Sequence, residues 1–384
     1  MSIDSLAHGG DAVGRIPDGR VAFVRGGCPG DVAEVEITAD HGRHVSARIT
    51  SLVEPSPERV EPPCPFFGTC GGCQWQHVSA PAQRDAKARI VRDAFERIGR
   101  LAPAIEPPLA SPAELGYRNK VEFVVEEHPR GVRVGLHRLG AADLVPVDRC
   151  LLLPDPLAGA PRALAGVLGY LARRHAPLGV VRAGVRVAHA TREVEVALWT
   201  APGAFPRHIV AKTVADSLGA TGVVRVLFKG PLKERRVSGV EVLHGRGHWQ
   251  ERLDGRRLSV SAPSFFQVNT AGAELLVATV IGMLELDESD RVLDLYSGAG
   301  TFTLPLATRA GEVVAVEGSR HALADLRRNL ESANLEADVV GGDVARELPD
   351  LGGFEAVVVD PPRSGLDAAT IGALTARRAR RIAY

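Results

Sequence analysis

The sequence predicts a three-part chain of mixed α and β structure that ends in a doubly wound α/β domain. Short alternating strands fill the beginning, a knot of cysteines follows them, and regular strand–helix alternation starts after about residue 255. Such alternation is typical of a parallel sheet with helices on its faces. We therefore expect a small β unit over 1–57, a mostly β central domain over 58–254 and an α/β domain over 255–384.

Composition indicates a soluble globular protein. The 384 residues are 45% hydrophobic and 24% charged, and 46 basic residues balance 46 acidic ones. Zero formal charge excludes a globally basic nucleic-acid binder but leaves room for a local basic patch. No run approaches the ~20 apolar residues of a membrane span, and the first residues lack a signal-peptide pattern. We expect a cytoplasmic protein with no membrane partner and, because its five cysteines are an odd number, no disulfide framework.

Strand periodicity dominates the first two parts. Segments 20–24, 32–37 and 45–53 have the apolar–polar period of half-buried strands, and their short spacing favours a small barrel. A helix is expected within 80–100, where apolar residues recur at helical spacing, and we expect it to pack on the last domain. Further strands are expected at 121–125, 132–137, 193–199 and 223–228, with helices near 157–175 and 205–218.

A strand, a glycine turn and a helix open the α/β domain. Gly298 and Gly300 follow the first predicted strand, and glycine lets a backbone approach a ligand that a Cβ would block. Ser319 is placed to cap a later helix with leucines along one face. The strands of this domain are predicted at 291–295, 312–317, 338–341 and 356–360.

Acidic residues after these strands indicate which nucleotide would bind. Glu317 ends the second strand, where a carboxylate can accept both ribose hydroxyls, and Asp343 follows the third. A dinucleotide fingerprint needs a third glycine where Thr303 stands. With Asp294 also ahead of the turn, the pattern favours a cationic, phosphate-free nucleoside such as S-adenosylmethionine. A tight turn without a ligand is the alternative.

The fourth strand of this domain ends in Asp360, Pro361, Pro362 and Arg363. A carboxylate, two rigid prolines and an arginine at the carboxyl end of a parallel strand lie where such sheets bind ligands. Diproline turns also occur for conformational reasons alone. Because this segment occurs together with the glycine turn in the same α/β domain, the pattern favours a role for it in holding the acceptor of a methyl group.

Four cysteines have the pattern of a metal site. Cys64, Cys70 and Cys73 form C-x5-C-x2-C, and Cys150 follows a predicted hairpin. Four thiolates suit either a [4Fe–4S] cluster or a structural zinc ion. Zinc sites usually carry two short Cys-x2-Cys pairs and this chain has one, so the pattern favours iron–sulfur and leaves zinc as the alternative. Cys28 stands alone in a turn, and we interpret it as structural.

With these features in order, the chain resembles the RNA 5-methyluridine (uracil-C5) methyltransferases, in their TRAM-containing iron–sulfur branch of 23S rRNA type. Residues 6–15 resemble the start of a TRAM domain, and residues 64–76 with Cys150 match the iron–sulfur motif. Segments 117–120 and 264–269 are also in family register. The resemblance implies an OB-like TRAM β-barrel, a mostly β iron–sulfur domain and a class I, Rossmann-like methyltransferase domain.

The resemblance also implies an activity and its sites. The family transfers a methyl group from S-adenosylmethionine to C5 of a uridine in RNA, so we expect ribosomal RNA as partner, transfer RNA as the alternative, and a monomer. Asp360 and Arg363 would flank the target base. The cofactor contacts would be Gln267, Tyr296, Gly298, Gly300, Thr301, Glu317, Asp343 and Asp360, and the cluster ligands Cys64, Cys70, Cys73 and Cys150.

The chain departs from the family at its nucleophile. Because C5 of uracil is a poor nucleophile, the family attacks C6 with a cysteine thiolate, and a base, usually glutamate, later removes the C5 proton. The cysteine belongs to a Ser-Cys-Asn/Asp-Pro motif on a fifth strand, beyond Tyr384. We therefore expect a truncated gene product without methyl-transfer activity. A natural form that binds RNA and cofactor without turnover is the alternative.

A non-catalytic RNA-binding protein is the competing class of function. In that case the barrel and cluster would recognise RNA and the nucleotide site would be vestigial. The intact glycine turn and Glu317 argue against loss of the nucleotide site. Contacts to the RNA backbone are expected from basic residues of the central domain, each of which is otherwise a solvated surface charge. They are Arg118, Lys120, Lys233, Arg235 and Arg236.

Overall fold

The computed structural model describes residues 1–175, 177–230 and 236–384, which form two compact units. Unit 1 comprises Met1–Glu114 and Gly135–Val147, and unit 2 comprises Leu115–Val134 and Asp148–Tyr384. Lys233 and Arg235, two of the predicted RNA contacts, lie outside the described residues. Across the described ranges, no helix combines the length and the apolarity that crossing a bilayer needs.

The secondary structure alternates between all-β and mixed regions. The strands are β1 (Ile3–Leu6), β2 (Ala12–Arg15), β3 (Val21–Arg25), β4 (Val32–Asp40), β5 (His44–Glu54), β6 (Lys120–His128), β7 (Gly131–His137), β8 (Leu144–Pro146), β9 (Val180–Val187), β10 (Val194–Thr200), β11 (Gly222–Lys229), β12 (Arg236–His244), β13 (Trp249–Leu253), β14 (Arg256–Val260), β15 (Arg291–Leu295), β16 (Glu312–Glu317), β17 (Asp338–Gly341), β18 (Ala356–Val359) and β19 (Arg381–Ala383). The α-helices are α1 (Ala80–Asp93), α2 (Ala160–His175), α3 (Arg207–Leu218), α4 (Thr270–Leu284), α5 (Thr303–Leu306), α6 (Arg320–Ala333), α7 (Val344–Glu347) and α8 (Ala368–Arg377).

Unit 1 begins with a five-stranded sheet in the order β1-β2-β3-β5-β4. The predicted strands at 20–24, 32–37 and 45–53 are confirmed as β3, β4 and β5, whereas the short β1 and β2 were not predicted. The Ala33 amide donates to the Met1 carbonyl at 2.9 Å, so β4 is joined to the chain start beside β1. Alternate side chains of these strands form a separate apolar core.

The rest of unit 1 is a loop region, the helix α1 and the hairpin in which β7 pairs with β8. Ser79 caps α1 by accepting a hydrogen bond from the Ala82 amide, and the helix continues as a π-helical turn over Ala94–Gly99. Arg100 then takes a left-handed conformation with φ of 52°, which ends the helix where it was predicted to end. The loop region over 64–73 carries three cysteines and is joined to the hairpin by a hydrogen bond from the Gly71 amide to the His137 carbonyl.

Unit 2 begins with strands of a mixed sheet in the order β12-β11-β10-β9-β6. The predicted strands at 121–125, 193–199 and 223–228 are confirmed as β6, β10 and β11, and the two predicted helices as α2 and α3. The strand β9 was not predicted, although it lies between β6 and β10. Its Arg186 therefore faces Lys120 on one side and Glu195 on the other.

The second sheet of unit 2 is parallel throughout, in the order β17-β16-β15-β18-β19. Its strands coincide with the predicted segments, except that the fourth ends one residue early. Ser319 caps α6 as expected, and Leu326 and Leu330 are buried beneath it. The chain runs outward from β15 to β17 and returns to β18 on the other side of β15, so a crevice is expected at the carboxyl ends of β15 and β18.

Candidate functional site

The predicted nucleotide site lies at this reversal of strand order. Tyr296, Gly298 and Gly300 all have positive φ, of 64°, 58° and 98°, so the turn after β15 is tightly wound. Open space surrounds the position of a Cβ on Gly298, which leaves room for a ligand. A Cβ on Gly300 would lie 2.5 Å from Leu304 Cδ1, so this glycine serves the packing of the turn. Only Gly298 therefore fits the predicted reason for a glycine.

Glu317 braces the turn from the end of β16. Its Oε2 accepts a hydrogen bond from the Gly298 amide at 2.9 Å, and its Oε1 accepts one from the Ser319 amide at 2.6 Å. Each carboxylate oxygen has a second lone pair that these bonds do not use. The carboxylate is therefore fixed in place and still able to accept two hydroxyl hydrogens.

Asp294 is a fully buried acid of the β15 strand, with 0% of its surface exposed. Its Oδ2 accepts a hydrogen bond from Thr303 Oγ1 at 2.5 Å, and its Oδ1 has no partner within the described ranges. Burial raises the pKa of Asp294 to about 7, and the nearby Asp360 and Glu317 carboxylates act in the same direction. An unpaired buried acceptor is costly and calls for a donor.

Gln267 meets Asp360 although 93 positions separate them in the chain. Gln267 Nε2 donates to Asp360 Oδ2 at 3.2 Å. Burial raises the pKa of Asp360, and this hydrogen bond opposes the rise. The main chain of Gln267 is held as well, since Asn119 Nδ2 donates to its carbonyl at 2.8 Å. Two predicted site residues from separate segments are thus brought together at the end of β18.

The remaining predicted site residues follow β15, β17 and β18 in the chain. Burial raises the pKa of Tyr296, and the carboxylates of Asp367 and Asp343 add to the rise, so Asp343 lies on the Tyr296 side of the crevice. Thr301 is buried in the turn. Arg363 is exposed beyond the two prolines, where a bound molecule can reach it. Because the sheet is parallel, the residues that follow β15, β16, β17 and β18 lie at the same edge of it.

The crevice is acidic. Among the described residues, the donors to Asp294, Glu317 and Asp360 are hydroxyl and amide groups, and no lysine or arginine bonds to them. The Asp360 and Glu317 carboxylates raise the pKa of Asp294, and a bound cation would relieve that repulsion. The arrangement suits a positively charged ligand with hydroxyl groups.

Two buried polar side chains of α6 were not predicted, and one of them supports the glycine turn. Asn329 Nδ2 donates to the Ala299 carbonyl at 2.9 Å, and Asn329 Oδ1 accepts from the Ser259 amide at 2.7 Å. Asp325, one turn earlier on α6, is buried beside Leu326. Polar residues on the apolar face of a helix were the available signal, since burial of such groups requires partners.

Lys120 does not lie where an RNA contact was predicted. Its Nζ is paired with Glu122 at 2.7 Å, only 19% of its side chain is exposed, and burial lowers its pKa. The charge is used within the sheet, so the expectation for Lys120 is wrong. Arg118 is half-buried and Arg236 is exposed on β12. Of these three, Arg236 offers the most accessible cation.

The cysteines lie in both units, and none forms a disulfide. Burial raises the pKa of Cys70, and the nearby thiols of Cys73 and Cys64 add to the rise, so these three cluster within unit 1. The Gly72 amide donates to Cys70 Sγ at 3.4 Å. Cys150 is buried in unit 2. Within the described ranges, no three His, Cys, Asp or Glu side chains are arranged to hold a metal ion.

The buried carboxyl of Asp294 predicts a pH-dependent stability. Because the fold raises its pKa from 3.8 to about 7, its contribution to stability is fully present below pH 3.8 and is lost as the pH rises through 7. Asp294→Asn should therefore melt at a higher temperature than the parent chain at pH 8, and this advantage should disappear at pH 4. Thermal unfolding at both pH values measures the difference. Asp338→Asn, an exposed control on β17, should show no such change; equal melting temperatures for Asp294→Asn and parent at pH 8 would contradict the prediction.

Two different protein-family models match the two ends of the chain. The TRAM domain model matches residues 2–50, which include the five-stranded sheet of unit 1 except its last residues. The model named Methyltransferase small domain matches residues 267–378, which include the glycine turn, Glu317 and Asp360. The candidate site therefore lies within a methyltransferase domain.

Relatives match the chain from end to end. An uncharacterised RNA methyltransferase of Gloeobacter violaceus is 35% identical, over 100% of this chain and 86% of the relative. The 23S rRNA (uracil(1939)-C(5))-methyltransferase of Alkalilimnicola ehrlichii is 32% identical, again over 100% and 86%. The structure of Pyrococcus abyssi tRNA (uracil-54, C5)-methyltransferase in complex with S-adenosyl-L-homocysteine shares the fold, with a TM-score of 0.72 at 24% identity over 100% of this chain and 88% of that one. The chain belongs to the TRAM-containing RNA 5-methyluridine (uracil-C5) methyltransferase family.

Proposed function

We propose that this chain binds S-adenosylmethionine in the crevice after β15 and β18 and serves the methylation of C5 of a specific uridine in 23S ribosomal RNA. The observation that carries the proposal is the convergence of Asp294, Glu317 and Asp360 without a cationic partner among the described residues. S-adenosylmethionine carries a sulfonium, an ammonium group and two ribose hydroxyls, which match three carboxyls in charge and in hydrogen bonding. The glycine at 298 leaves its approach open.

The side chains divide the work of binding. Glu317, fixed by two amides, accepts the ribose hydroxyls with its remaining lone pairs. Asp294 supplies negative charge and an unpaired acceptor beneath the turn. Gln267 orients Asp360 at the side where the methyl group is transferred. When bound, S-adenosylmethionine supplies the electrophilic methyl group. Tyr296, Gly300, Thr301 and Asp343 complete the proposed contacts.

The acceptor side of the reaction requires an exposed uracil ring. C6 is attacked from the face of the ring, so the target uridine must leave its stack or be presented in a loop. Asp360 and Arg363 would flank it. We assign the C6 nucleophile to none of the five cysteines, because four are proposed as cluster ligands and Cys28 is buried in unit 1.

Ribosomal RNA is the proposed partner because the relative that acts on 23S rRNA is 32% identical over the whole chain, whereas the tRNA enzyme supports the fold alone. Transfer RNA is the alternative substrate. The sheet of unit 1, as a TRAM domain, and exposed cations such as Arg236 would bind the RNA backbone. A non-catalytic RNA-binding role would leave the acidic crevice unexplained.

A [4Fe–4S] cluster is proposed as a structural group held by Cys64, Cys70, Cys73 and Cys150. The amide hydrogen bond to the Cys70 sulfur suits thiolate ligation, since such bonds stabilise charge on cluster sulfur ligands. We assign the cluster no role in methyl transfer.

The cofactor proposal predicts the effect of neutralising Glu317. Glu317→Gln keeps the shape of the side chain but loses its charge and one acceptor oxygen. S-adenosylmethionine should therefore bind roughly 10- to 100-fold more weakly. Isothermal titration calorimetry measures the change. Glu331→Gln, an exposed residue of α6, is the matched control and should bind as the parent chain does. Unchanged affinity in Glu317→Gln would falsify the assignment of the ribose site.

The cluster proposal predicts metal content. Protein purified without oxygen should contain about four irons and four sulfides per chain, and Cys70→Ala should lose both along with the visible absorption. Cys28→Ala is the control and should retain them, because Cys28 lies in the apolar core of the five-stranded sheet. Stoichiometric zinc without iron in the parent chain would favour the zinc alternative instead.

A further inference from the structure

A turn that leads into Gln267 is held by two buried charges of opposite sign. Residues 261–264 connect β14 to the segment that carries Gln267. Arg186 approaches this turn from β9, and Asp325 approaches it from α6. Arg186 is 2% exposed and Asp325 is 0% exposed. Neither residue lies in the crevice itself, so their effect on the site must pass through the turn.

Arg186 binds the carbonyl groups of the turn. Its guanidinium donates to the Ser261 carbonyl at 2.9 Å, to the Val260 carbonyl at 3.3 Å and to the Ser264 carbonyl at 2.5 Å. The same guanidinium lies 5.6 Å from the centroid of the Trp249 ring. A planar fork of donors can hold several acceptors at once, which the point charge of a lysine cannot. The arginine therefore fixes the path of the turn.

Asp325 binds the donors of the same turn. Its Oδ2 accepts from the Ser261 amide at 2.8 Å and from Ser264 Oγ at 2.6 Å, and its Oδ1 accepts from Ser261 Oγ at 2.6 Å. The turn thus presents its carbonyls to a cation and its amide and hydroxyls to an anion. Displacing the turn would remove the three hydrogen bonds from the buried Arg186 guanidinium and would leave Asp325 with Arg328 alone, which is strongly unfavourable for buried charges.

The other end of the segment is held independently. Asn119 Nδ2 donates to the Gln267 carbonyl at 2.8 Å and to Thr270 Oγ1 at 2.9 Å, and Thr270 Oγ1 donates to the buried Glu251 at 3.0 Å. Between the two anchors, Phe266 packs against Trp249 with a ring separation of 5.5 Å. The backbone on either side of Gln267 is therefore fixed before any ligand arrives.

We propose that Arg186 and Asp325 are positioning residues for S-adenosylmethionine, acting by setting Gln267 against Asp360. The inference rests on the proposed cofactor site. A side-chain amide 3.2 Å from a carboxylate is useful for binding only while its backbone is held, because a shift of about 1 Å breaks the hydrogen bond. The two charges thus connect the mixed sheet and α6 to the crevice of unit 2.

Calorimetric titration of the full chain with S-adenosylmethionine tests the proposal. Arg186→Lys keeps the positive charge but loses the planar guanidinium with its several donors. This variant should bind S-adenosylmethionine roughly 5- to 50-fold more weakly. Arg182→Lys is the matched control on the same strand, since Arg182 bonds to Glu122 and not to the turn, and its affinity should equal that of the parent. Ser264→Ala removes one hydroxyl bonded to Asp325 and should weaken binding less; it serves as the test if Arg186→Lys fails to fold.

A double-mutant cycle separates positioning from general damage. If Arg186 acts through Gln267, Arg186→Lys should weaken binding no further when Gln267→Ala is already present. Additive losses, or parent-like affinity in folded Arg186→Lys, would overturn this inference while leaving the cofactor site intact. Absence of any binding by the parent chain and by Arg182→Lys would instead overturn the proposed function, and this inference with it.

Discussion

The reversal of strand order between β15 and β18 is the constraint on which the candidate site depends. It brings the carboxyl end of β18 beside that of β15, so that Asp360 lies close enough to Asp294 for their charges to interact. Glu317 joins them from β16. Like charges raise one another's free energy, most of all where one of them is buried, as Asp294 is. The fold therefore creates a crevice in which the carboxylates repel one another without a ligand. A bound cation would relieve this repulsion.

The carboxyls of Glu317 and Asp294 differ in what they can contribute. Two backbone amides already hold Glu317, so its geometry is fixed and the proposed binding of ribose hydroxyls would need no rearrangement. Asp294 has one hydroxyl partner and one unpaired oxygen, and its proton is held to about pH 7. Glu317 thus offers acceptors in a fixed position. Asp294 offers a negative charge, because a cationic ligand would favour loss of its proton. A ligand's own charge is consequently coupled to the protonation of the crevice.

Sequence reasoning succeeded where the physical signal is local. The strands of the parallel sheet, the Ser319 cap and the glycine turn each follow from neighbouring residues, because periodicity, capping and positive φ are short-range effects. The reason for Gly300 could not be found in this way. A Cβ added at Gly300 would collide with Leu304 and Leu326. The contact with Leu326 exists only after α6 has packed on the turn.

The residues that the sequence concealed are polar groups whose partners are distant in the chain. Arg186 is separated by 75 positions from Ser261, and Asp325 by 64, so no spacing rule connects them. Lys120 was misassigned for the same reason. A lysine read alone is a surface charge, yet the pairing of β6 with β9 sets it opposite Arg186, and Glu122 on its own strand then takes its charge. A missing β9 in the predicted strand order was therefore enough to misplace Lys120 and to hide the cation that anchors the turn before Gln267.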